Sequence, residues 1–278
     1  MHTPLLSTFL SAEDNAASAG FLSNGHIIHN AEAPENLARI RDLAVQSAAE
    51  YLAVTQPEDR QDFLNYIHRH ITGEKLNGLR LHVIQRMNQT EWLRPAYFSL
   101  ARKLIETIVG NELAMQLRLN LSIQMPDDAG SLLPIHADVW SGDSPFEVVL
   151  WVPLVDCFAT KAMFLLPPAK SGQLESAFSA NTTVSSEALF ERVATDLTWI
   201  NIKYGEVLLF NQNLPHGNRV NIESETRWSM NCRFKAVFTP YADKRLGEFF
   251  EPITLRAASR LGLDYQLPAV AVPGALQT

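Results

Sequence analysis

The sequence is short of cysteine, with two in 278 residues, Cys157 and Cys232. At most one disulfide can form, which excludes a small scaffold built on disulfides; two free thiols in a reducing cytoplasm are the expectation. An excess of basic charge is lacking too. Lys and Arg number 23 against 30 Asp and Glu, a net charge of −7, so a general nucleic-acid surface is not expected. No apolar run approaches the roughly 18 residues of a membrane-crossing helix, so no membrane partner is expected. Residues 1–10 have neither the basic start nor the sustained apolar stretch of a secretory leader. There is no internal repeat, no low-complexity segment and no linker rich in Pro, Gly or Ser. With 46% apolar residues the chain can bury one sizeable core, and a single domain over 1–278 is expected. Nothing in the pattern speaks to oligomeric state.

The two halves carry different periodicities. Over 36–54 apolar residues fall at Leu37, Ile40, Leu43, Ala44 and Leu52 with charges between them, a helical spacing, and Pro34 suits the approach to a first turn. Segments 59–71, 76–87 and 92–109 read the same way, so residues about 30–110 are expected to form helical support. His68 and His70, two apart on a helix, share no face and are expected to meet solvent. From 116 onward the period changes to two. Residues 116–124 alternate polar and apolar, and apolar runs at 146–155, 162–166, 197–203 and 206–210 follow, each bounded by Pro, Gly, Asp or Asn. The last run, 226–238, puts Arg227, Ser229, Asn231 and Arg233 on one face. That face is too polar for a core and better suits a ligand cavity. The fold class is therefore α+β, mainly β: an antiparallel barrel over about 114–240, buttressed by N-terminal helices and followed by a C-terminal extension, 241–278.

Histidine is scarce where the strands lie. Of eight in the chain, only His136 and His216 follow His82, and each sits beside an apolar, β-prone run. His136 and Asp138 are two apart among apolar neighbours, so on a strand both would project from one face. With His216 they form the two-histidine, one-carboxylate set that leaves coordination positions open on ferrous iron for oxygen chemistry. Arg227 adds a cationic fork able to hold the carboxylate of a co-substrate through two hydrogen bonds. The same donors suit Zn²⁺ or Mn²⁺, so a non-redox, cupin-like metal-binding isomerase, lyase or small-ligand binding protein is the second class. Arg227 weighs against it, because a pure binding module has no use for a buried guanidinium beside an open metal site.

Four stretches, 136–147, 151–156, 210–218 and 226–241, resemble non-haem Fe(II)/2-oxoglutarate-dependent oxygenases of the phytanoyl-CoA dioxygenase type. Within these they are similar to the branch associated with carbohydrate and aminoglycoside gene clusters, which includes the oxygenase of streptomycin biosynthesis. The resemblance implies a double-stranded β-helix (jelly-roll, cupin-like) fold, Fe(II), O2 and 2-oxoglutarate as co-substrate. It also implies oxidation, normally hydroxylation, of a small polar, sugar-derived substrate with release of succinate and CO2. Arg227 matches the family position for the distal carboxylate of 2-oxoglutarate. Arg233 on the same strand face and Lys161 before another strand are alternatives for that role. Gln124 and Asn120, on the polar face of the first barrel strand, are candidates for hydrogen bonds to the co-substrate. Trp140 and Asp143, in the loop after the proximal ligands with Ser144 and Glu147, are candidate substrate contacts. Asn211, Asn213 and Asn218 either orient His216 or form its loop. Trp151 and Trp228 are expected to pack the barrel.

Overall fold

A computed structural model describes residues 9–177 and 185–267. Residues 1–8, which hold most of the segment compared with a secretory leader, and 268–278 of the expected extension lie outside these. Among the described residues no helix is long and apolar enough to cross a membrane.

The helices form where caps and apolar stripes coincide. Ser11 accepts from the Asp14 N–H and starts α1 (Ala12–Asn24), which Gly25 ends in the left-handed conformation before β1 (His26–Asn30). Pro34 opens α2 (Pro34–Leu52), whose Leu37, Ile40, Ala44, Val45 and Ala48 are buried at helical spacing. Asp59 caps α3 (Arg60–Asn65), and α4 (Gly73–Asn88) follows. The helix expected over 92–109 is two, α5 (Leu93–Ser99) and α6 (Arg102–Ile108). The break comes from outside the segment. The Glu32 carboxylate accepts from the N–H groups of Lys103 and Leu104 at 2.9 and 3.1 Å, while its own N–H takes the Leu100 carbonyl at 2.9 Å. A remote side chain thus supplies the cap that starts a new helix.

The expected strand over 116–124 is also interrupted, into β2 (Leu113–Gln116) and β3 (Asn120–Gln124). Four residues lie between Met115 and Asn120 but only two between their cross-strand partners Phe234 and Asn231, so two residues bulge out. Asn88 holds the bulge, its Oδ1 accepting from the Leu119 N–H at 2.8 Å and its Nδ2 donating to the Leu119 carbonyl at 3.0 Å. Then come β4 (Val148–Pro153), β5 (Phe164–Leu165), α7 (Pro168–Ala177), α8 (Ser186–Val193), β6 (Thr198–Trp199) and β7 (Glu206–Asn211). The chain continues through β8 (His216–Gly217), β9 (Arg227–Ala236), β10 (Phe250–Pro252) and α9 (Ala257–Asp264). Helices α1, α7, α8 and α9 have no counterpart in the sequence expectations. None of the α1 residues is buried, and a helix without a core-facing stripe leaves little periodic signal.

The larger sheet is antiparallel in the order β1-β7-β4-β9-β2-β10, with β3 also paired to β9; the smaller is β6-β5-β8. Period-two alternation divides the larger sheet's faces. Val148, Leu150, Val152, Val207, Leu209, Trp228, Met230, Cys232 and Phe234 join the helices α2–α6 in one core. The opposite residues Val149, Trp151, Leu208 and Phe210 meet Cys157, Met163, Leu165, Ile200 and Ile202 in a second core against the smaller sheet. This is the expected jelly-roll layout, two facing sheets that do not close into a barrel, with α2–α6 on the larger sheet and α7 and α8 packed against Phe164 and Trp199 of the smaller. The segment after 240 is not wholly peripheral, because β10 pairs with β2 and extends the larger sheet.

His68 departs from expectation. Its Nδ1 lies 2.9 Å from the Thr226 Oγ1 and the ring is half-buried where the helices meet β9; only His70 is exposed. Nearby, the Trp228 Nε1 donates to the Leu64 carbonyl at 2.9 Å, tying α3 to β9, and the indole is fully buried. Trp228→Ala should lower the unfolding free energy by about 3–5 kcal/mol in a urea titration, because it opens a cavity and strands a buried carbonyl.

Candidate metal centre

The space between the sheets holds a cavity of about 270 Å³. His136, Asp138 and His216 line it, and one ligand atom from each lies within 4.8 Å of the others. The His136 Nε2 is 3.5 Å and the His216 Nε2 3.9 Å from Asp138 Oδ1. A backbone bridge sets the two histidines side by side: the His136 N–H donates to the His216 carbonyl at 2.9 Å and the His216 N–H to the His136 carbonyl at 2.7 Å. Asp138 does not continue a strand, as the alternating pattern had implied. It starts a 3₁₀ turn, Asp138–Ser141, but Ala137 before it is extended, and one extended residue suffices to keep His136 and Asp138 on the same side.

Both rings are oriented for coordination. His136 Nδ1 is 2.8 Å from the Pro134 carbonyl and His216 Nδ1 is 2.9 Å from the Leu214 carbonyl. A carbonyl can only accept, so each Nδ1 carries a proton and each Nε2 is turned toward the shared point, where it can serve as the ligand atom. Burial holds the His216 imidazole down to about 4, so it is neutral near pH 7. Burial works against ionisation of Asp138, but His136, Arg233 and His216 together keep its carboxyl well below the usual range. Burial also disfavours a charged His136, but Asp138 and the Pro134 carbonyl outweigh it and raise this imidazole above its usual value, so a metal would have to displace a proton there. With that proton gone, two imidazoles and one carboxylate are a donor set suited to a divalent first-row metal.

Arg227 lines the same cavity from β9. It is buried, donates from Nη2 to the Ser122 Oγ at 3.2 Å, and has no partner at Nε. Burial lowers it to about 10, which leaves it a cation at neutral pH. A buried guanidinium with one weak hydrogen bond fits an anionic ligand brought in from outside.

The other candidates divide. Asn120 and Asn231 line the cavity and bond each other across the strands, Nδ2 to Oδ1 at 2.8 Å. Gln124 is fully buried outside the lining; its Nε2 donates to the Arg219 carbonyl at 2.6 Å. Arg233 lines the cavity but is engaged, Nη2 donating to Asp138 Oδ2 at 2.7 Å. Lys161, considered for a co-substrate carboxylate or a solvated rim, is neither. It is wholly buried, with Nζ 2.7 Å from Glu225 Oε2 and 2.8 Å from Asn65 Oδ1.

Asp143, considered for substrate, is buried and paired with Lys244 at 2.5 Å and Arg233 at 3.4 Å. Trp140, on the turn after Asp138, is 43% exposed and is not part of the lining. Ser144 and Glu147 are buried: Ser144 Oγ donates to the Pro240 carbonyl, and Glu147 Oε2 accepts from Gln212 Nε2. Asn211, Asn213 and Asn218 brace loops rather than His216. Asn211 accepts from the Asn213 N–H, Asn213 donates to the Pro145 carbonyl, and Asn218 accepts from the Leu133 N–H. Trp151 lines the cavity, whereas Trp228 packs the opposite core.

Sequence reading missed Ser122, Met163 and Gln212. Ser122 was within reach, since it lies between Asn120 and Gln124 on the alternating face. Met163 and Gln212 carried no signal beyond flanking other candidates.

The fold is similar to several solved structures. EctD from S. alaskensis in its apo form is 18% identical, over 84% of this chain and 79% of that one, with a TM-score of 0.53. AviO1 from Streptomyces viridochromogenes Tue57 is 16% identical, over 86% and 100%, with a TM-score of 0.51. The non-heme alpha ketoglutarate dependent carbocyclase SnoK from nogalamycin biosynthesis is 13% identical, over 86% and 89%, with a TM-score of 0.50. At these identities the shared property is the fold. No family model matches the sequence, and no curated protein matches it significantly.

Lys161→Met should destabilise the protein by about 3–5 kcal/mol in chemical denaturation, because it leaves the Glu225 and Asn65 oxygens without their donor. The folded variant should still bind one equivalent of Co(II). Loss of Co(II) binding with unchanged stability would return Lys161 to the site.

Proposed function

We propose that the protein is a non-haem Fe(II)/2-oxoglutarate-dependent dioxygenase that hydroxylates a small polar substrate. The observation that carries this reading is one cavity holding both the His136–Asp138–His216 set and the under-bonded guanidinium of Arg227. With O2, Fe(II) and 2-oxoglutarate supply an oxidant able to break a substrate C–H bond. One oxygen atom goes to succinate as CO2 leaves, and the other goes to the substrate.

The chain's own residues have separable tasks. His136, Asp138 and His216 would hold the metal by three donors and leave the remaining positions open. Arg227, supported by Ser122, would take the distal carboxylate of 2-oxoglutarate as a charge-assisted pair. Val149, Trp151, Met163 and Phe210 line the cavity with apolar surface and exclude water from the reacting groups. Asn120 and Asn231 would hydrogen-bond substrate. They carry no charge, and the cavity's other cation, Arg233, is already paired, which supports a neutral substrate rich in hydrogen-bonding groups, such as one derived from a sugar.

The phytanoyl-CoA dioxygenase-type branch rests on the four stretches at 136–147, 151–156, 210–218 and 226–241. We take the chain as one oxygenase domain. Its buried, unpaired Cys157 and Cys232 support a reducing, cytoplasmic setting.

Purified protein given Fe(II), 2-oxoglutarate and O2 should release succinate even without substrate, and His136→Ala, Asp138→Ala or His216→Ala should each abolish this. No succinate from metal-loaded native protein would favour a non-redox metal enzyme. Arg227→Ala should weaken 2-oxoglutarate binding by about 2–5 kcal/mol, read from the metal-to-ligand charge-transfer band, with Fe(II) retained. Trp140→Ala, if the indole guides substrate at the cavity's edge, should raise succinate formed per substrate oxidised. An unchanged ratio removes Trp140 from the site.

A further inference from the structure

The two oxygens of Asp138 face different partners. Oδ1 looks toward the Nε2 atoms of both histidines, whereas Oδ2 accepts from Arg233 Nη2 at 2.7 Å. We infer that Arg233 is a positioning residue that fixes Asp138 as a one-oxygen metal ligand, and so keeps a coordination position open that a two-oxygen carboxylate would fill. This rests on the metal-site reading above.

Arg233 is itself held from several sides. Its Nε donates to Gln212 Oε1 at 2.9 Å and lies 3.4 Å from Asp143 Oδ2 and 4.0 Å from Glu147 Oε2. Gln212 also accepts from the Asp138 N–H through its backbone carbonyl at 3.2 Å, and its Nε2 donates to Glu147 and to the Ser144 carbonyl. One residue therefore sets both the backbone of Asp138 and the fork that grips its side chain. Asp143 is anchored in turn by Lys244, which follows β9.

The charges explain why this arrangement tolerates a metal. A buried guanidinium whose sole partner was Asp138 would lose much of its compensation once a divalent cation drew on that carboxylate. Here Asp143 and Glu147 remain beside it. Arg233 therefore has no electrostatic reason to leave Oδ2 when metal binds, and its planar fork can serve Gln212 and Asp138 together. A lysine at this place brings one ammonium and cannot reproduce both contacts in the same geometry.

Co(II) titration of the purified full chain tests the inference, with the dissociation constant and the visible d–d band as readouts and far-UV circular dichroism reporting the fold. Arg233→Ala should weaken Co(II) binding by about 10–100-fold, the range usual for residues that orient a metal ligand, and should alter the band as Asp138 becomes free to offer both oxygens. Arg233→Lys is the deciding variant because it retains a cation among the three carboxylates. It should bind several-fold more weakly than the native protein, more tightly than Arg233→Ala, and with a changed band intensity. Native affinity and a native band in Arg233→Lys would overturn the inference while leaving the metal site intact. Native protein that fails to take up one Co(II) would overturn both.

Discussion

Two backbone hydrogen bonds, between His136 and His216 in each direction, are the constraint on which the site depends. The residues are 80 positions apart in sequence, and no side-chain interaction of comparable geometry could align two imidazoles without ordering long flexible groups. A bridge between main chains uses atoms whose freedom folding has already removed. It places the ring centroids 4.4 Å apart, and the Pro134 and Leu214 carbonyls then decide which nitrogen of each ring faces inward. Asp138 follows from the chain geometry two residues after the bridge.

The larger sheet separates stability from chemistry. Along β9 the odd-numbered residues Arg227, Asn231 and Arg233 face the cavity, while Trp228, Met230, Cys232 and Phe234 face the helices. Substitutions two residues apart therefore act on one task and substitutions one residue apart switch task, as strand geometry requires. The helical layer does more than cover the sheet. Tyr97 donates to the Leu150 carbonyl at 2.8 Å, and Trp228 reaches Leu64, so the strands carrying site residues are pinned from behind.

Ionic groups are buried on a scale that would be costly if they were unpaired. Asp138, Asp143 and Glu147 lie among Arg233, Lys235 and Lys244, and separately Lys161 is matched by Glu225 and Asn65. Arg227 differs: like the half-buried Arg41 and Arg94 its Nε lacks a partner, but of these three it alone lines the cavity. In a low-dielectric interior a cation with spare donors can take an anionic ligand without first giving up a partner.

The residue types settled much of this. Alternation over 116–124 and 226–238 identifies strands with one polar face, and the scarcity of histidine after His82 singles out His136 and His216, because local periodicity and donor chemistry are properties of the chain itself. The breaks at Leu100–Ala101 and at 117–119 were not legible, since Glu32 and Asn88, which cap them, come from remote segments. Lys161, Arg233, Asp143 and Gln124 could be read only as cations, a carboxylate and an amide on plausible elements. Whether each faces a ligand or a partner depends on what folding brings opposite, Glu225 for Lys161 and Asp138 for Arg233, and pairings across 64 and 95 positions are fixed by tertiary packing, not by spacing.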